Sequence, residues 1–581
     1  MITLDYISRS LFVWTVVLLF GAAACSPIET PQEALPNVLL IVTDDQGYGD
    51  VGFHGNSIVE TPNIDQLAQE SIIFDRFYVS PVCAPTRASL LTGRYHLATG
   101  VSWVTHRKEV MSQHEVTLAE LLKAQGYNTG LFGKWHNGKQ YPHDPLGQGF
   151  DTFLGFTDGH FNNYFDAKLI NGFDTVHTKG YMPDVLTDAA IQLMQDDEPF
   201  FAYVSYNTPH SPFQVPDQYF DKYKSKGLDD KNACIYGMIE NIDDNVSRLL
   251  KALEESGKIE NTMVIFMTDN GPNGLRYNAG LKGIKSHVDE GGVRVPFTIR
   301  YPKKNWTGGK IINSMAGHID VFPTLAALIS PNYQPKNKIH GKSLVDLIDE
   351  GTVIQRSFFT HQVVRKFDTI PGAIRAGEFL LTLKLGDTAL FNLANDKFQE
   401  NNLFKTSKYL SDSMITQYLE WIRSTLAQMP KSEQIETGHE QVRLVEFPAQ
   451  EVSSRINVDF KGKEGWANDY LTNFSQGAAV TWETKTIKDQ DYQFYLEMAG
   501  EQGAEIEWIL DGVKRTFTLT EKREKLQMSS PDRVPRGEVY EFEWPMINMG
   551  DYRLSSGTHS IEVRAKSDKE VEIKSLKLKR I

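Results

Sequence analysis

The chain has 581 residues, which is too long for one hydrophobic core and predicts two or three domains. Its hydrophobic content of 41% and charged content of 23% are those of an ordinary globular protein. The formal net charge of −14 excludes a general binder of nucleic acid or of anionic membranes, because such proteins need a basic surface. An anionic substrate must therefore be attracted by a local cluster of lysine, arginine or metal charge.

The first 25 residues have the pattern of an export signal. Arg9 precedes an apolar run over residues 11–20 that is too short for a confident membrane span, and small residues follow it. Residues 22–25, Ala-Ala-Ala-Cys, resemble a bacterial lipobox, in which Cys25 becomes the lipidated first residue. We therefore expect an exported bacterial protein that is periplasmic or anchored to the outer membrane through a lipid, with plain secretion as the alternative.

Strand-length apolar runs alternate with helical patterns over residues 36–331, the predicted catalytic domain. The predicted strands cover residues 37–43, 127–132, 199–206 and 263–268. The predicted helices cover residues 117–125, 184–195 and 232–255. This alternation predicts an α/β sheet with right-handed crossovers, buried on both faces.

Cys83 stands where a strand-like run over residues 71–79 meets a helical pattern. Pro85 fits the first turn of that helix, which places Cys83 at the positive helix N-terminus and Arg87 one turn further on. Cys83 is then a candidate reactive group, although a lone cysteine is more often a small buried thiol. Because Cys25 belongs to the signal and Cys234 to a helical pattern, no disulfide framework explains Cys83.

Polar side chains follow two of the predicted strands. Asp44 and Asp45 come after the strand at 37–43, and Asp269 and Asn270 come after the strand at 263–268. Open α/β sheets bind ligands at the carboxyl ends of their strands. Three carboxylates and one amide oxygen suit a hard cation such as Ca²⁺ better than zinc. An isolated Asp pair is usually a helix cap or a solvated turn, but two pairs with Cys83 between them favour a metal site.

The pattern changes after residue 331. Antiparallel strands at 372–383 and 389–393 with a helix at 410–426 predict a small α+β subdomain over residues 332–430. A polar linker at 430–448 is expected to precede a β-sandwich over residues 449–581, with predicted strands at 478–484, 493–498, 505–510, 539–544 and 560–564. The sandwich resembles a carbohydrate-binding module. Its aromatic side chains either stack on sugar or form core: Trp466, Tyr470, Trp482, Trp508 and Trp544.

The run from Cys83 through Pro85 and Arg87 to Leu90-Leu91-Thr92-Gly93 resembles the first signature of the formylglycine-dependent sulfatases, in the alkaline-phosphatase-like superfamily. Residues 126–136, which read Gly-Tyr-Asn-Thr-Gly-Leu-Phe-Gly-Lys-Trp-His, resemble the second signature. With further matches at 209–212, 269–272 and 290–296, the resemblance spans about residues 36–405. It implies a mixed sheet flanked by helices, followed by a small C-terminal subdomain.

The resemblance also implies a chemistry for Cys83. A formylglycine-generating enzyme or an anaerobic sulfatase-maturating enzyme would oxidise it to formylglycine, whose hydrated aldehyde carries two hydroxyl groups. One hydroxyl attacks sulfur, and the other expels sulfate once it is deprotonated, so one hard displacement becomes two easier steps. The family's Ca²⁺ would stabilise the developing charge. Its implied ligands are Asp44, Asp45, Asp269, Asn270 and the modified Cys83.

Further roles carry over by position. Arg87 would orient the diol, Lys134 would contact the sulfate, and His136 would be the base that triggers elimination. His210 and Lys285 would bind the sulfate and protonate the leaving alcohol.

Two parts of the predicted site lie outside the signatures. The family usually reads Lys-Gly-x-x-aromatic-Glu-Gly-Gly where this chain has Lys-Ser-His-Val-Asp-Glu-Gly-Gly from Lys285, so Lys282 is a competing assignment. The loop at 157–174 supplies candidates for sugar contact. They are Asp158, His160, Asn162 and Asn163.

The sequence predicts an exported sulfatase that removes sulfate esters from a carbohydrate, a sulfated polysaccharide or its oligosaccharides. One alternative is a phosphate or phosphonate monoester hydrolase of the same fold. The other is an inactive glycan-binding surface lipoprotein.

Overall fold

The structure, a computed structural model, describes residues 34–362, 367–462, 464–466 and 468–581. The predicted signal, including Cys25, lies outside these residues, so lipidation stays a prediction. No helix of the described chain is long and apolar enough to cross a membrane. Residues 37–581 form one compact unit.

The first part of the chain is organised around a mixed sheet. The strands of this part of the chain are β1 (Asn37–Thr43), β2 (Ile72–Phe74), β3 (Phe77–Tyr78), β4 (Asn128–Lys134), β5 (Thr152–Phe156), β6 (Lys168–Asn171), β7 (Asp174–His177), β8 (Phe200–Ser205), β9 (Thr262–Thr268), β10 (Phe297–Arg300), β11 (Lys310–Ile312) and β12 (Ala316–Gly317). The order across the sheet is β11-β2-β10-β9-β1-β8-β4-β5-β6-β7, while β3 pairs with β12 separately. The strands from β9 to β5 are parallel, and β10 and β6 run antiparallel to them.

The central strands confirm the sequence prediction. β1 lies between β8 and β9, and every residue of β1 and β9 is buried, as their continuous apolar runs require. The predicted strand at 71–79 is instead two strands, β2 and β3. The chain turns between them, where the carboxylate of Asp75 binds Tyr48 (Oη to Oδ1, 2.6 Å) and Arg294 (Nη2 to Oδ2, 2.7 Å).

Helices pack on both sides of this sheet, and the longest carries the buried Cys234. The helices of this part are α1 (Pro62–Gln69), α2 (Cys83–Thr92), α3 (Leu118–Lys123), α4 (Met182–Met194), α5 (Asp217–Ser225), α6 (Asp230–Glu255), α7 (Glu290–Val293), α8 (Val321–Ile329) and α9 (Val345–Asp349). A further helix, α10 (Lys408–Leu426), belongs to the subdomain that follows. The predicted helices appear as α3, α4 and α6. Thr117 and Glu120 form a capping box that fixes the start of α3.

A small subdomain follows, in which α10 covers an antiparallel sheet. The sheet contains β13 (Ser357–His361), β14 (Gly372–Ala376), β15 (Phe379–Leu383) and β16 (Ala389–Asn392) in that order. Met414, Tyr418 and Trp421 of α10 pack with Ile374 and Leu381 of the sheet. The predicted strands and helix are therefore confirmed.

The C-terminal part is a sandwich of two sheets around an apolar core. Its strands are β17 (Ile435–Thr437), β18 (Leu444–Pro448), β19 (Ser454–Ile456), β20 (Asp459–Phe460), β21 (Leu471–Phe474), β22 (Ala479–Thr486), β23 (Gln490–Gly500), β24 (Glu505–Leu510), β25 (Val513–Thr518), β26 (Leu526–Gln527), β27 (Phe542–Glu543), β28 (Met546–Leu554), β29 (Gly557–Ala565) and β30 (Val571–Arg580). One sheet has the order β17-β22-β29-β24-β25, and the other has the order β20-β21-β30-β23-β28.

Two sequence predictions fail in this part. The expected linker at 430–448 contains β17 and β18, which pair with β22 and β30 because Ile435 and Phe447 are buried in the sandwich core. The expected strand at 539–544 shrinks to β27. Residues 528–541 form instead an irregular excursion, here called the arm, closed at its base by a bond from Met528 N to Glu541 O (2.9 Å).

Candidate active site

The carboxyl ends of β1 and β9 bring four acceptor side chains together. The two strands pair in parallel, so Asp44 and Asp45 leave the sheet beside Asp269 and Asn270. All four residues are fully buried. The amide N–H of Asp45 donates to Oδ1 of Asp269 (3.3 Å), and Asp45 adopts a left-handed backbone with φ of 65°. Strained backbone of this kind is typical of functional sites.

Several acceptors in this cluster lack a hydrogen-bond donor. Oδ1 of Asp44, Oδ2 of Asp45 and Oδ1 of Asn270 are buried without a partner. Ligand atoms of Asp44, Cys83 and Asp269 lie within 4.8 Å of one another. Buried unpaired acceptors are costly unless something binds them, and oxygen donors at this spacing suit a hard divalent cation. The residues therefore fit the predicted Ca²⁺.

Two buried cations, Lys134 and Arg87, form ion pairs with carboxylates of this cluster. Lys134 at the end of β4 places Nζ 2.5 Å from Oδ2 of Asp44, and Arg87 on α2 places Nη2 2.7 Å from Oδ2 of Asp269. Burial disfavours ionisation of Asp44, but Lys134 and other nearby cations hold its pKa well below the ordinary value. Burial and the charge of Asp44 raise the pKa of Asp269, which Arg87 opposes. The site holds more negative charge than these two cations neutralise.

Cys83 is the first residue of α2, and the extended Val82 precedes it, as the position of Pro85 predicts. The thiol points into a pocket and is 4% exposed. Arg87 is fully buried one turn away, where it also donates to the carbonyl of Lys134 (3.1 Å). Cys83 therefore lies between the carboxylate cluster and an open cavity.

His136 follows β4 and is held as a neutral imidazole. Its Nε2 lies 2.9 Å from the carbonyl oxygen of Val104, which only accepts, so Nε2 carries the proton. Nδ1 then has a free lone pair, and it is buried without a partner. Burial, and then the charge of Lys134, hold the pKa of His136 well below its ordinary value. The ring therefore keeps an unprotonated Nδ1.

His210 and Lys285 approach Asp45 from two further loops. Nζ of Lys285 lies 2.6 Å from Oδ1 of Asp45, and Nε2 of His210 lies 3.7 Å from Oδ2. The attraction of Asp45 outweighs desolvation and raises the pKa of Lys285. The competing Lys282 is exposed and lies over the ring of Phe391 (5.2 Å). The geometry therefore favours Lys285 for the substrate-binding assignment.

Four of the predicted site residues line a cavity of about 320 Å³. Cys83, His136, His210 and Lys285 line it. Of the loop candidates, Asp158 and His160 line the cavity as well. Asn162 instead binds the arm, and Asn163 accepts a bond from the N–H of Phe165 (3.2 Å).

Sequence reasoning missed other residues of the cavity wall. They include Trp103, Glu109, Glu451 and Glu538. None of them belongs to a signature, and the last two come from the sandwich. Among the aromatic candidates of the sandwich, Trp466 lines the cavity and is 46% exposed, whereas Trp482 and Trp508 are fully buried core.

Gly159 lies close to His136 and gives a sensitive test of that ring's position. A methyl group on Gly159 would lie 2.2 Å from Nε2 of His136, so Gly159→Ala must displace the imidazole from Val104. We expect kcat to fall about tenfold to a hundredfold, since small displacements of reacting groups have effects of this size. The control is Ser413→Ala, which changes an exposed residue of α10 that does not line the cavity. Steady-state kinetics of both variants measure the effect, and equal kcat values would contradict it.

Comparison with known proteins identifies the family. The sulfatase family model matches residues 36–330, which is half of the chain. The chain belongs to the sulfatase family. The members of this family are sulfuric-ester hydrolases, and the match covers the two signatures and both acidic strand ends.

Individual relatives agree with this assignment. The chain is 31% identical to arylsulfatase J of Mus musculus, over 56% of this chain and 58% of that protein. It is 30% identical to an ulvan-active sulfatase of Formosa agariphila, over 63% of this chain and 77% of that protein. The crystal structure of Ps i-CgsB in complex with k-i-k-neocarrahexaose has 28% identity and a TM-score of 0.64, and covers 69% of this chain and 94% of that one. The predicted alkaline-phosphatase-like fold is confirmed.

Proposed function

We propose that this protein hydrolyses sulfate esters on a carbohydrate, a sulfated polysaccharide or its oligosaccharides. The observation that carries the proposal is the position of Cys83, between unpaired carboxylate oxygens and a cavity lined by His136, His210 and Lys285. A relative that is an ulvan-active sulfatase and a similar structure that holds a neocarrahexaose support a glycan substrate. Export to the periplasm or to a lipid anchor in the outer membrane remains part of the proposal.

Two groups would complete the site. Formylglycine, made from Cys83 by a maturation enzyme, supplies a nucleophile that a thiol does not offer. Ca²⁺, held by Asp44, Asp45, Asp269 and Asn270, supplies positive charge where negative charge develops.

The chain's own residues position and protonate the substrate. Lys285, which lines the cavity, and Lys134, which pairs with Asp44, supply positive charge for an anionic sulfate. His210 donates Nδ1–H to the carbonyl of Ser211 (2.6 Å), so its Nε2 faces Asp45. With both ring nitrogens protonated, Nε2 is placed to hand a proton to a leaving alcohol. His136 accepts a proton at its unpaired Nδ1. Arg87 holds Asp269 and the end of β4 in place.

Replacing Cys83 tests the proposal. We expect Cys83→Ala, made in a host with the maturation enzyme, to reduce sulfate release by at least about a thousandfold, because the nucleophile is removed. The control is Cys234→Ala, which deletes a buried thiol of α6, costs roughly 1 kcal/mol of stability and leaves activity unchanged.

The assay compares sulfated monosaccharides with the matching phosphate and phosphonate monoesters, and mass spectrometry follows the peptide that contains residue 83. Sulfate release with a converted Cys83 supports the proposal. A strong preference for phosphate or phosphonate, or full activity with an unmodified thiol, would overturn it.

A further inference from the structure

The arm of the sandwich is bound to the loops that carry the catalytic histidine His210 and the sugar-contact candidates. The N–H of Arg533 donates to the carbonyl of Phe213 (2.9 Å), and its guanidinium donates to the carbonyl of Val215 (3.0 Å). Arg536 donates to the carbonyl of Asn162 (3.0 Å). These bonds link the arm to the two chain segments that contain His160 and His210, which both line the cavity.

Glu538 is the arm residue that lines the cavity. Its Oε1 accepts a hydrogen bond from Oγ of Ser211 (2.7 Å). Ser211 follows His210, the residue proposed to protonate the leaving alcohol. A sugar whose ester oxygen faces His210 would therefore lie close to the carboxylate of Glu538.

Four carboxyl groups line the cavity, together with Lys139 and Lys285. The carboxyl groups belong to Glu109, Asp158, Glu451 and Glu538. Asp158 pairs with Lys139 (3.1 Å), and Glu451 pairs with Arg107 (3.2 Å). Within the described ranges, the other two have no lysine, arginine or histidine at ion-pair distance. Burial opposes the ionisation of Glu538, but His160, Ser211 and His210 hold its pKa below the ordinary value, so Glu538 presents a charged carboxylate to the cavity.

The buried carboxyl group of Glu109 differs from Glu538, because it is mostly protonated at neutral pH. Its Oε2 has no hydrogen-bond partner. Burial, and then the negative charge of Glu451, raise the pKa of Glu109 to about 8. Glu538 is therefore the carboxylate of the cavity wall that is charged and has no ion-pair partner within the described ranges.

We propose that the arm completes the sugar-binding part of the cavity and that Glu538 selects a sugar with no second anionic group beside the scissile sulfate ester. Uncharged hydroxyl groups can donate to its carboxylate, whereas a neighbouring sulfate or uronate carboxylate would be repelled. Trp466, which faces the same space from the sandwich, offers an apolar surface for the ring. This inference rests on the proposed sulfatase function and specifies its substrate class as singly sulfated, otherwise neutral sugars.

Matched pairs of sugars test the selection. The probes are the monosulfates of galactose, N-acetylglucosamine and N-acetylgalactosamine, each paired with a disulfate that contains the same ester. We expect the matured wild-type enzyme to turn over its best monosulfate with a kcat/KM at least about tenfold above that of the paired disulfate. Glu538→Gln removes the charge of the side chain and keeps its shape. The ratio of kcat/KM for the monosulfate to kcat/KM for the disulfate should therefore shrink at least about threefold, through faster turnover of the disulfate.

The control variant is Glu543→Gln, which lies on β27 beside the arm and is exposed. Glu543→Gln should leave the ratio of the two kcat/KM values unchanged. Higher salt screens charge, so it should lower this ratio more in the wild type than in Glu538→Gln. A wild type that prefers disulfates, or a Glu538→Gln variant with an unchanged ratio, would overturn the inference and leave the sulfatase function intact. Release of no sulfate from any probe would instead count against the proposed function.

Discussion

Asp45→Asn is expected to lower sulfate release by about a thousandfold, or ~4 kcal/mol in the activation barrier. Asp45 accepts from Lys285 and Asn270 through Oδ1, while its Oδ2 is one of the unpaired acceptors that we assign to Ca²⁺. The substitution keeps the shape of the side chain but removes its charge, so both cation binding and the position of Lys285 suffer.

Thermal unfolding separates the metal site from general damage. Ca²⁺ added to the chelator-treated wild type should raise Tm, because a ligand that binds only the folded state stabilises it. Asp45→Asn should show little or no such rise, and Asp412→Asn, an exposed residue of α10, should behave like the wild type. A calcium-dependent rise in Asp45→Asn equal to that of the wild type would contradict the assigned ligand.

The positions of the acidic residues and of Cys83 were predictable because each follows a strand or begins a helix that the neighbouring sequence marks. β1 begins and ends at Asn37 and Thr43 as predicted, since a continuous apolar run must be buried on both faces. The acidic residues that follow it are therefore placed by the strand itself. The same holds for Cys83, whose position at the start of α2 follows from the proline two residues on.

The outer part of the site was not predictable from the sequence. Glu538 reaches Ser211 across 327 positions of the chain, through an arm whose sequence reads as the start of a strand. Arg533 and Arg536 hold the arm in place through hydrogen bonds to backbone carbonyls, and such bonds leave no periodic pattern in the sequence. The short strands β17 and β18 were missed for a related reason, because polar neighbours surround their few buried residues.

His136→Ala is expected to separate the two halves of the reaction. In the proposed sequence the alcohol leaves first, with its proton from His210, and sulfate leaves only after His136 accepts a proton at Nδ1. The variant should therefore release about one equivalent of alcohol per enzyme and then stop, with kcat for sulfate reduced roughly a hundredfold to ten-thousandfold. The wild type should release alcohol and sulfate in equal amounts through many turnovers.

Rapid-quench measurement of both products against enzyme concentration tests this expectation. His177→Ala, which removes an exposed histidine of β7, is the matched control and should turn over like the wild type. If His136→Ala lost the alcohol burst together with sulfate release, the histidine would act in the first half of the reaction. Normal multiple turnover of His136→Ala would show that sulfate release does not need a proton acceptor at His136. The unpaired Nδ1 of this ring would then have no catalytic role.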